Sequence, residues 1–303
     1  KVYCFGPTFR AERSKTRRHL TEFWMVEPEV AFCSLDQLLD LIEDFICSIV
    51  TRVLADHRDD LVELGRNVGE LDAIVKPFYR LTYSEAADLL HSDKAKDLLE
   101  NDLTEKTARA KELDEKFKEF EATIRGGGKQ WQKDKAAAEL IEAREEKTEL
   151  DEQIGNIPHH MELARNFEWG SDLGGSDETI ISRLHDRPVA VTHYPKTVRA
   201  FYMRADREDD RVVECVDLLA PQGFGEIIGG SAREEDFDRL LARVKHEKLP
   251  QHEYEWYLDL RRYGSVPHAG FGLGVERTVA WLCGLKHIRE TIPYPRMMGK
   301  FYP

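Results

Sequence analysis

Near its start the chain carries side-chain types that suit nucleotide binding. Alternating residues over 2–29 predict two β-strands joined by a basic loop. One face of this pair would carry a cation, an aromatic ring, a thioether and several carboxylates, from Arg10, Glu12, Phe23, Met25, Glu27 and Glu29. Such a set would make a poor hydrophobic core, and it predicts a nucleotide site.

Two acidic residues farther along are candidates for metal binding. If the chain reverses over residues 220–223, Asp217 and Glu226 are cross-strand partners on one face of a hairpin. Two carboxylates there repel each other unless a cation lies between them, and hard oxygen ligands with phosphates suit Mg²⁺. On spacing alone, two exposed carboxylates at a sheet edge stay open as an alternative.

Alternating glycines precede an arginine near the end of the chain. Gly270, Gly272 and Gly274 would let the backbone approach a ligand closely, with Arg277 beside it. Taken alone, this pattern is more typical of a tight strand, and Arg277 of a surface ion pair.

The elements that would position these residues are short strands and amphipathic helices. Apolar residues at helical spacing predict a helix over 34–55 with Ser34 as its N-cap, and Ser84 would cap a second helix. Strands are predicted over 188–193, 200–203, 212–219 and 225–228, and helices over 236–247 and 278–285. Antiparallel strands flanked by helices predict an α+β domain.

Three segments together resemble a known family. FGPTFRAE and RHLTEFWMVEPE resemble motif 2 of the class II aminoacyl-tRNA synthetases, and their wording looks most like the asparaginyl members. GFGLGVER and HIRETIPYPR resemble motif 3, and DLLAPQGFGEIIGGSAREED resembles the segment that binds magnesium and the amino acid. The resemblance implies the catalytic core of this class, an antiparallel sheet flanked by helices.

The resemblance also implies residue roles for ATP. Arg10 would meet the α-phosphate and the substrate carboxylate, because a guanidinium fork matches two oxygens at once. Arg10 and Arg277 are the catalytic candidates, and Asp217 and Glu226 are the magnesium candidates. The implied ATP-binding residues are Arg10, Glu12, Arg18, His19, Phe23, Glu226, Gly272, Gly274 and Arg277.

Amino-acid selection would rest on Glu27 and Arg233. In the family the Arg233 position grips the side-chain oxygen of the substrate. Glu27 can accept a hydrogen bond from an asparagine amide, whereas an aspartate carboxylate would meet like charge. This predicts a ligase that joins asparagine to tRNA(Asn). The alternatives are an aspartate-activating relative, either a relaxed aspartyl-tRNA synthetase or an asparagine-forming enzyme, and a non-catalytic paralogue.

Residues 94–165 differ from the rest in composition, being rich in Lys, Glu, Ala, Leu and Asp. Two helical patterns flank the glycines at 126–128, which end a helix and permit a reversal. This predicts a helical-hairpin insertion between two parts of the catalytic core, 1–93 and 166–303. The hairpin would be a solvated spacer, or a contact for tRNA or another partner.

Composition sets outer limits. The 303 residues are 41% hydrophobic and carry a net charge of −13, which argues against binding nucleic acid through bulk positive charge, so tRNA contacts should be local. Neither a membrane-spanning run nor a signal-peptide pattern is present, so a cytoplasmic protein is expected. The chain opens inside a strand, so we expect a preceding segment that carries the family's anticodon-binding barrel and homodimer interface.

Overall fold

The computed structural model describes residues 1–11, 16–300 and 302. They form two compact units. The first comprises Lys1–Ala87 and Glu168–Pro303, and the second comprises Asp88–Phe167.

The first unit contains a seven-stranded sheet. Its strands are β1 (Val2–Phe9), β2 (Glu22–Ala31), β3 (Tyr79–Thr82), β4 (Val189–Thr192), β5 (Cys215–Ala220), β6 (Gly225–Ala232) and β7 (His268–Gly274). Their order is β1-β2-β7-β6-β5-β4-β3, and every neighbouring pair is antiparallel except β3 with β4. The predicted α+β fold is confirmed, with a parallel pair at one edge that the sequence analysis did not predict.

Nine α-helices lie within the described residues. They are α1 (Leu35–Glu63), α2 (Val68–Asp72), α3 (Tyr83–Leu90), α4 (Asp93–Arg125), α5 (Gln130–Arg165), α6 (Gly175–Arg183), α7 (Phe237–His246), α8 (Glu255–Arg262) and α9 (Val275–Cys283). Ser34 caps α1 as predicted and forms a reciprocal capping box with Gln37. The predicted cap at Ser84 is wrong. Thr82 accepts from the Glu85 amide at 3.2 Å and donates its own amide to Glu85 at 2.7 Å.

The hydrophobic core occupies one face of the sheet. Leu38, Ile42 and Ile46 of α1 are buried in one cluster with Val216 and Leu218 of β5. Side chains alternate across a strand, so Asp217, which lies between Val216 and Leu218, points to the other face of the sheet. That other face carries this polar residue beside buried apolar ones, Val191 and Leu219 among them.

Two expectations about this sheet are wrong. Residues 200–203 form a turn with a single bridge from Met203 to Arg233, and not a strand. Asp217 and Glu226 are not cross-strand partners. The chain reverses over 221–224, one residue later than expected, and a bulge with Ile227 of β6 as its extra residue shifts the register, so Asp217 lies opposite Gly229 and Glu226 opposite Leu219.

The second unit is built from α4 and α5, which pack as antiparallel neighbours. Arg109 pairs with Glu146 at 2.7 Å, and Arg144 pairs with Glu121 at 3.2 Å, so ion pairs join the two helices at two levels. Whether this unit is an insertion in a catalytic core stays a prediction. Over the part of the chain that the structure describes, no helix is both long and apolar enough to cross a bilayer.

Candidate active site

A cavity of about 410 Å³ opens on the polar face of the sheet in the first unit. It is lined by eleven of the predicted site residues: Arg10, Arg18, His19, Phe23, Glu27, Asp217, Glu226, Arg233, Gly272, Gly274 and Arg277. Glu12, the twelfth, lies outside the described residues. Residues separated by more than 260 positions in the sequence therefore share one cavity.

One end of the cavity pairs a cation with an aromatic ring. The guanidinium carbon of Arg10 lies 5.3 Å from the centre of the Phe23 ring. The Arg10 amide donates to the Thr21 carbonyl at 2.9 Å, which fixes the backbone just beyond β1. No acidic side chain among the described residues forms an ion pair with Arg10. Its charge is therefore available to an anion.

Arg277 links the start of α9 to β6. Its Nη1 donates to the Glu226 carbonyl at 3.0 Å and to Glu226 Oε2 at 2.8 Å, and its Nη2 lies 3.5 Å from His19 Nε2. The three side chains form one polar group. This arrangement differs from the surface ion pair that the glycine pattern alone suggested, because Glu226 itself lines the cavity.

Arg18 turns toward protein partners. Its guanidinium donates to Thr179 Oγ1 at 2.8 Å and to Glu178 Oε2 at 3.3 Å, and it also bonds the Gly223 carbonyl. A Cβ at Gly225 would lie 2.3 Å from Arg18 Nη1, so a glycine is needed for this approach. Burial lowers the pKa of Arg18, although Glu178 opposes that shift. In this structure Arg18 joins α6 to the β5–β6 turn.

The two acidic candidates converge over a glycine. The position of an ideal Cβ at Gly229 is 2.9 Å from Glu226 Oε1 and 3.6 Å from Asp217 Oδ1, so both carboxylates turn to one point. Asp217 lies 8% exposed on a central strand, which rules out the exposed-edge alternative. Burial raises the pKa of Asp217 to about 7, with Arg199 opposing the shift and Glu226 adding to it.

These carboxylates suit magnesium only together with a further ligand. Across the described residues, no group of three or more His, Cys, Asp or Glu side chains is arranged to hold a metal ion. Mg²⁺ is commonly bound by one or two carboxylates that share it with substrate phosphates. The pair fits that mode, and the absence of a side chain at Gly229 leaves space beside it.

Arg233 is held on three sides at the opposite end of the cavity. Its Nε and Nη2 donate to the two oxygens of Glu29, each at 3.1 Å, and its Nη1 donates to Ser231 Oγ at 2.7 Å. The Tyr202 ring centre lies 5.3 Å from its guanidinium carbon. Among the described residues, none forms a hydrogen bond or ion pair with the Glu27 carboxylate.

Sequence reasoning missed several residues of this cavity. Glu29 was placed on the correct strand face but was given no partner, since nothing in the sequence indicates that it pairs with Arg233. Tyr202 was assigned to a strand that does not form, and Arg199, which was given no role, pairs with Asp217. If Asp217 had been expected to be buried, a cation near it would have been expected as well, and this is the one signal that could have indicated Arg199.

Comparison with known proteins places this geometry in a family. The family model described as tRNA synthetases class II (D, K and N) matches residues 1–298. The asparagine--tRNA ligase of Sorangium cellulosum is 48% identical over 303 residues, and that of Koribacter versatilis is 45% identical. These matches cover 100% of this chain, and 55% and 54% of the two relatives. The chain thus spans about half the length of the curated relatives it matches.

Solved structures give the same result. Asparaginyl-tRNA synthetase from Pyrococcus horikoshii complexed with asparaginyl-adenylate matches with a TM-score of 0.75 and 37% identity, over 100% of this chain and 54% of that chain. The Entamoeba histolytica asparaginyl-tRNA synthetase matches with a TM-score of 0.70 and 30% identity, over 99% and 53%. Because the family model matches nearly the whole chain and the solved relatives share its fold, the chain belongs to the class II tRNA synthetases of the D, K and N group.

Proposed function

We propose that the chain is the catalytic part of an asparagine--tRNA ligase, which activates asparagine with ATP and transfers it to tRNA(Asn). The observation that carries this proposal is that one cavity is lined both by Arg10, which lies over the Phe23 ring and has no acidic partner among the described residues, and by Glu27 and Arg233. The names of the relatives support the same activity.

Activation requires attack of the asparagine carboxylate on the α-phosphorus of ATP, with pyrophosphate as the leaving group. This step needs positioning and positive charge where negative charge accumulates, and it needs no side-chain nucleophile. Arg10 supplies the charge, because no acidic side chain of the described residues neutralises it. Phe23 supplies a flat apolar surface for the adenine ring beside that charge.

Arg277 would hold the nucleotide from the opposite side of the cavity. Its bonds to Glu226 and the adjacent His19 fix the guanidinium before ATP arrives. A preorganised cation does not have to reorient as charge develops, so it stabilises the transition state more than a mobile one does. Gly272 and Gly274 add no side chain to this part of the lining, and the space beside Gly272 is taken by Met25, since a Cβ at Gly272 would lie 2.3 Å from Met25 Cε.

Mg²⁺ would be held by Asp217 and Glu226, and when bound it would neutralise charge on the ATP phosphates. Asp217 already has Arg199 as a partner, and Glu226 has Arg277. Each carboxylate is thereby oriented by a cation of the protein. Their convergence over Gly229 supports this assignment.

Selection of asparagine would follow from the ion pair between Glu29 and Arg233 at the other end of the cavity, together with Glu27. Glu29 pairs with Arg233 but leaves guanidinium hydrogens for one substrate oxygen, while the Glu27 carboxylate has no partner among the described residues. An asparagine amide can donate to Glu27 and accept from Arg233. An aspartate carboxylate would place like charge against Glu27, so it should bind far more weakly.

The remaining elements of the proposal concern the whole protein. A cytoplasmic homodimer that binds tRNA(Asn) is expected of the family, and the length of the relatives leaves room for the anticodon-binding and dimer segments.

The test is ATP–pyrophosphate exchange by the full-length protein, with either asparagine or aspartate as the sole amino acid. Exchange with asparagine alone is the expected result. Exchange with aspartate would favour the aspartate-activating alternative, and no exchange with either amino acid would favour the non-catalytic paralogue.

A further inference from the structure

The loop that joins α4 to α5 is locally basic in an acidic protein. We call residues 125–135 the hairpin tip. It contains four cations, Arg125, Lys129, Lys133 and Lys135, against one acidic residue, Asp134. The whole chain has a net charge of −13, so this excess is confined to a small part of the surface.

Along the helices that lead to the tip, many cations are neutralised by neighbouring acids, although Lys111 and Lys116 form no ion pair with any of the described residues. Lys118 lies 2.8 Å from Glu115, and Lys147 lies 2.7 Å from Asp151, in addition to the ion pairs that join the two helices. These pairs are what a solvated helical spacer requires.

At the tip, two lysines lack this compensation. Lys129 and Lys133 form no ion pair with any of the described residues. The one acid of the tip, Asp134, accepts instead from Gln130 Nε2 at 2.9 Å. Two ammonium groups one helical turn apart are therefore available to external anions.

An exposed aromatic ring lies between the two lysines in sequence. Trp131 is 61% exposed, although a large indole ring is usually buried. The adjoining backbone is also open, since a Cβ at Gly127 would meet no atom within 4 Å. The tip thus presents cations, a flat ring and bare backbone together.

We propose that the hairpin tip binds the tRNA substrate, with Lys129 and Lys133 on backbone phosphates and Trp131 stacked on an unpaired base. Nucleic-acid sites combine cations with aromatic rings in this way, whereas protein interfaces are depleted in lysine. The elongated unit holds the tip at the end of helices of 33 and 36 residues, about 50 Å long at the usual helical rise. This inference rests on the proposed function, because that function supplies tRNA as the partner.

The experiment uses the full-length protein with the double substitution K129A/K133A and, separately, Trp131→Ala. The matched control is K96A/K118A, which removes two hairpin lysines that have acidic partners in their own helix. Each variant is assayed for asparagine-dependent ATP–pyrophosphate exchange, for KM toward tRNA(Asn) in aminoacylation, and for binding of labelled tRNA by fluorescence anisotropy over a range of salt concentrations.

We expect both tip variants to raise KM and Kd for tRNA about tenfold while exchange stays at the control level. Loss of the two lysines should also reduce the slope of log Kd against log salt concentration by roughly 1.5, and Trp131→Phe should restore part of the binding. Unchanged KM and Kd would overturn the inference. Lack of exchange by the unsubstituted protein would instead overturn the proposed function, and the anisotropy measurement would still test whether the tip binds RNA.

Discussion

At the residue scale, the arginines that line the cavity differ in whether they have an acidic partner among the described residues. Arg18, Arg199, Arg233 and Arg277 are each paired with a carboxylate within hydrogen-bond distance. Arg10 forms no such pair among the described residues. The paired cations are already partly neutralised by the carboxylates that they bind. We therefore expect Arg10 to provide most of the neutralisation of a new negative charge.

Arg10→Ala should therefore reduce asparagine-dependent exchange by about a hundredfold, because one preorganised donor at the developing charge is lost. Its side chain contributes little to the core, so the thermal unfolding midpoint should stay unchanged. Arg52→Ala is the control, since Arg52 is 80% exposed on α1, far from the cavity lining. Near-normal exchange by the Arg10 variant would contradict the assigned role.

Glu27→Gln should weaken the preference for asparagine over aspartate. The substitution removes the charge that repels an aspartate carboxylate but keeps a hydrogen-bond acceptor, so the ratio of kcat/KM values should fall by at least about tenfold. Exchange with each amino acid measures this ratio. The exposed Glu63→Gln serves as a control, and an unchanged ratio would place the selection at other residues.

At the element scale, β2 and β7 approach closely because of a glycine. A Cβ at Gly270 would lie 2.0 Å from Glu29 Oε2 and 2.6 Å from the Pro28 carbonyl. The glycine therefore leaves the room in which Glu29 reaches Arg233. A strand contact thus determines the geometry of the end of the cavity that holds Glu29 and Arg233.

Gly270→Ala should lower the free energy of unfolding by about 1–3 kcal/mol, as overpacking does in a tight site, and should raise KM for asparagine by displacing Glu29. Urea unfolding and exchange assays measure the two effects. Gly6→Ala is a matched change in β1, where a Cβ would meet no atom within 4 Å. If the two variants behave alike, the contact at Gly270 has no such role.

The first turn of α9 is joined to β2 by a buried carboxylate. Both oxygens of Glu276 accept from the Trp24 amide, at 3.0 and 2.9 Å, and burial raises the pKa of Glu276. The folded state therefore keeps this proton to a higher pH than the unfolded chain does. Its contribution to stability is present at low pH and is lost as pH rises from about 4.5 through the raised pKa.

Glu276→Gln keeps an acceptor but cannot ionise. The free energy of unfolding of this variant minus that of the parent protein should therefore be larger at about pH 8 than at about pH 5. Urea unfolding at both pH values tests this, with the exposed Glu105→Gln as control. A difference from the parent that is independent of pH would show that Glu276 does not titrate in this range.

The sequence predicted elements better than it predicted contacts. The α1 helix and its Ser34 cap follow from local patterns, and so does the strand face that carries Phe23 and Glu27. The register of β5 and β6 does not, since one bulge at Ile227 and a later turn place Asp217 opposite Gly229 and not opposite Glu226. Bulges depend on tertiary packing, which a single strand pattern does not reveal.

At the scale of the whole molecule, the two units differ in what holds them together. The first unit has a hydrophobic core beneath a polar cavity, and the second is a pair of helices that bury apolar residues such as Leu113 and Leu140 and are also joined by ion pairs. The spacing of apolar residues within 94–165 predicted both helices of the second unit. The cavity draws its residues from three stretches far apart in sequence, 8–29, 199–233 and 271–288, and the motifs indicated it only as a set.

The second unit can be tested by excision, because its two ends meet. His91 Nε2 lies 2.9 Å from the Phe167 carbonyl, so a short Gly/Ser linker can replace residues 93–165 in the full-length protein. We expect asparagine-dependent exchange to be retained within about threefold, since every described cavity residue lies in the first unit. Binding of tRNA(Asn) should weaken at least as much as in K129A/K133A, because the excision removes the hairpin tip. Loss of exchange by a variant with a normal circular dichroism spectrum would show that the helical unit supports the catalytic cavity.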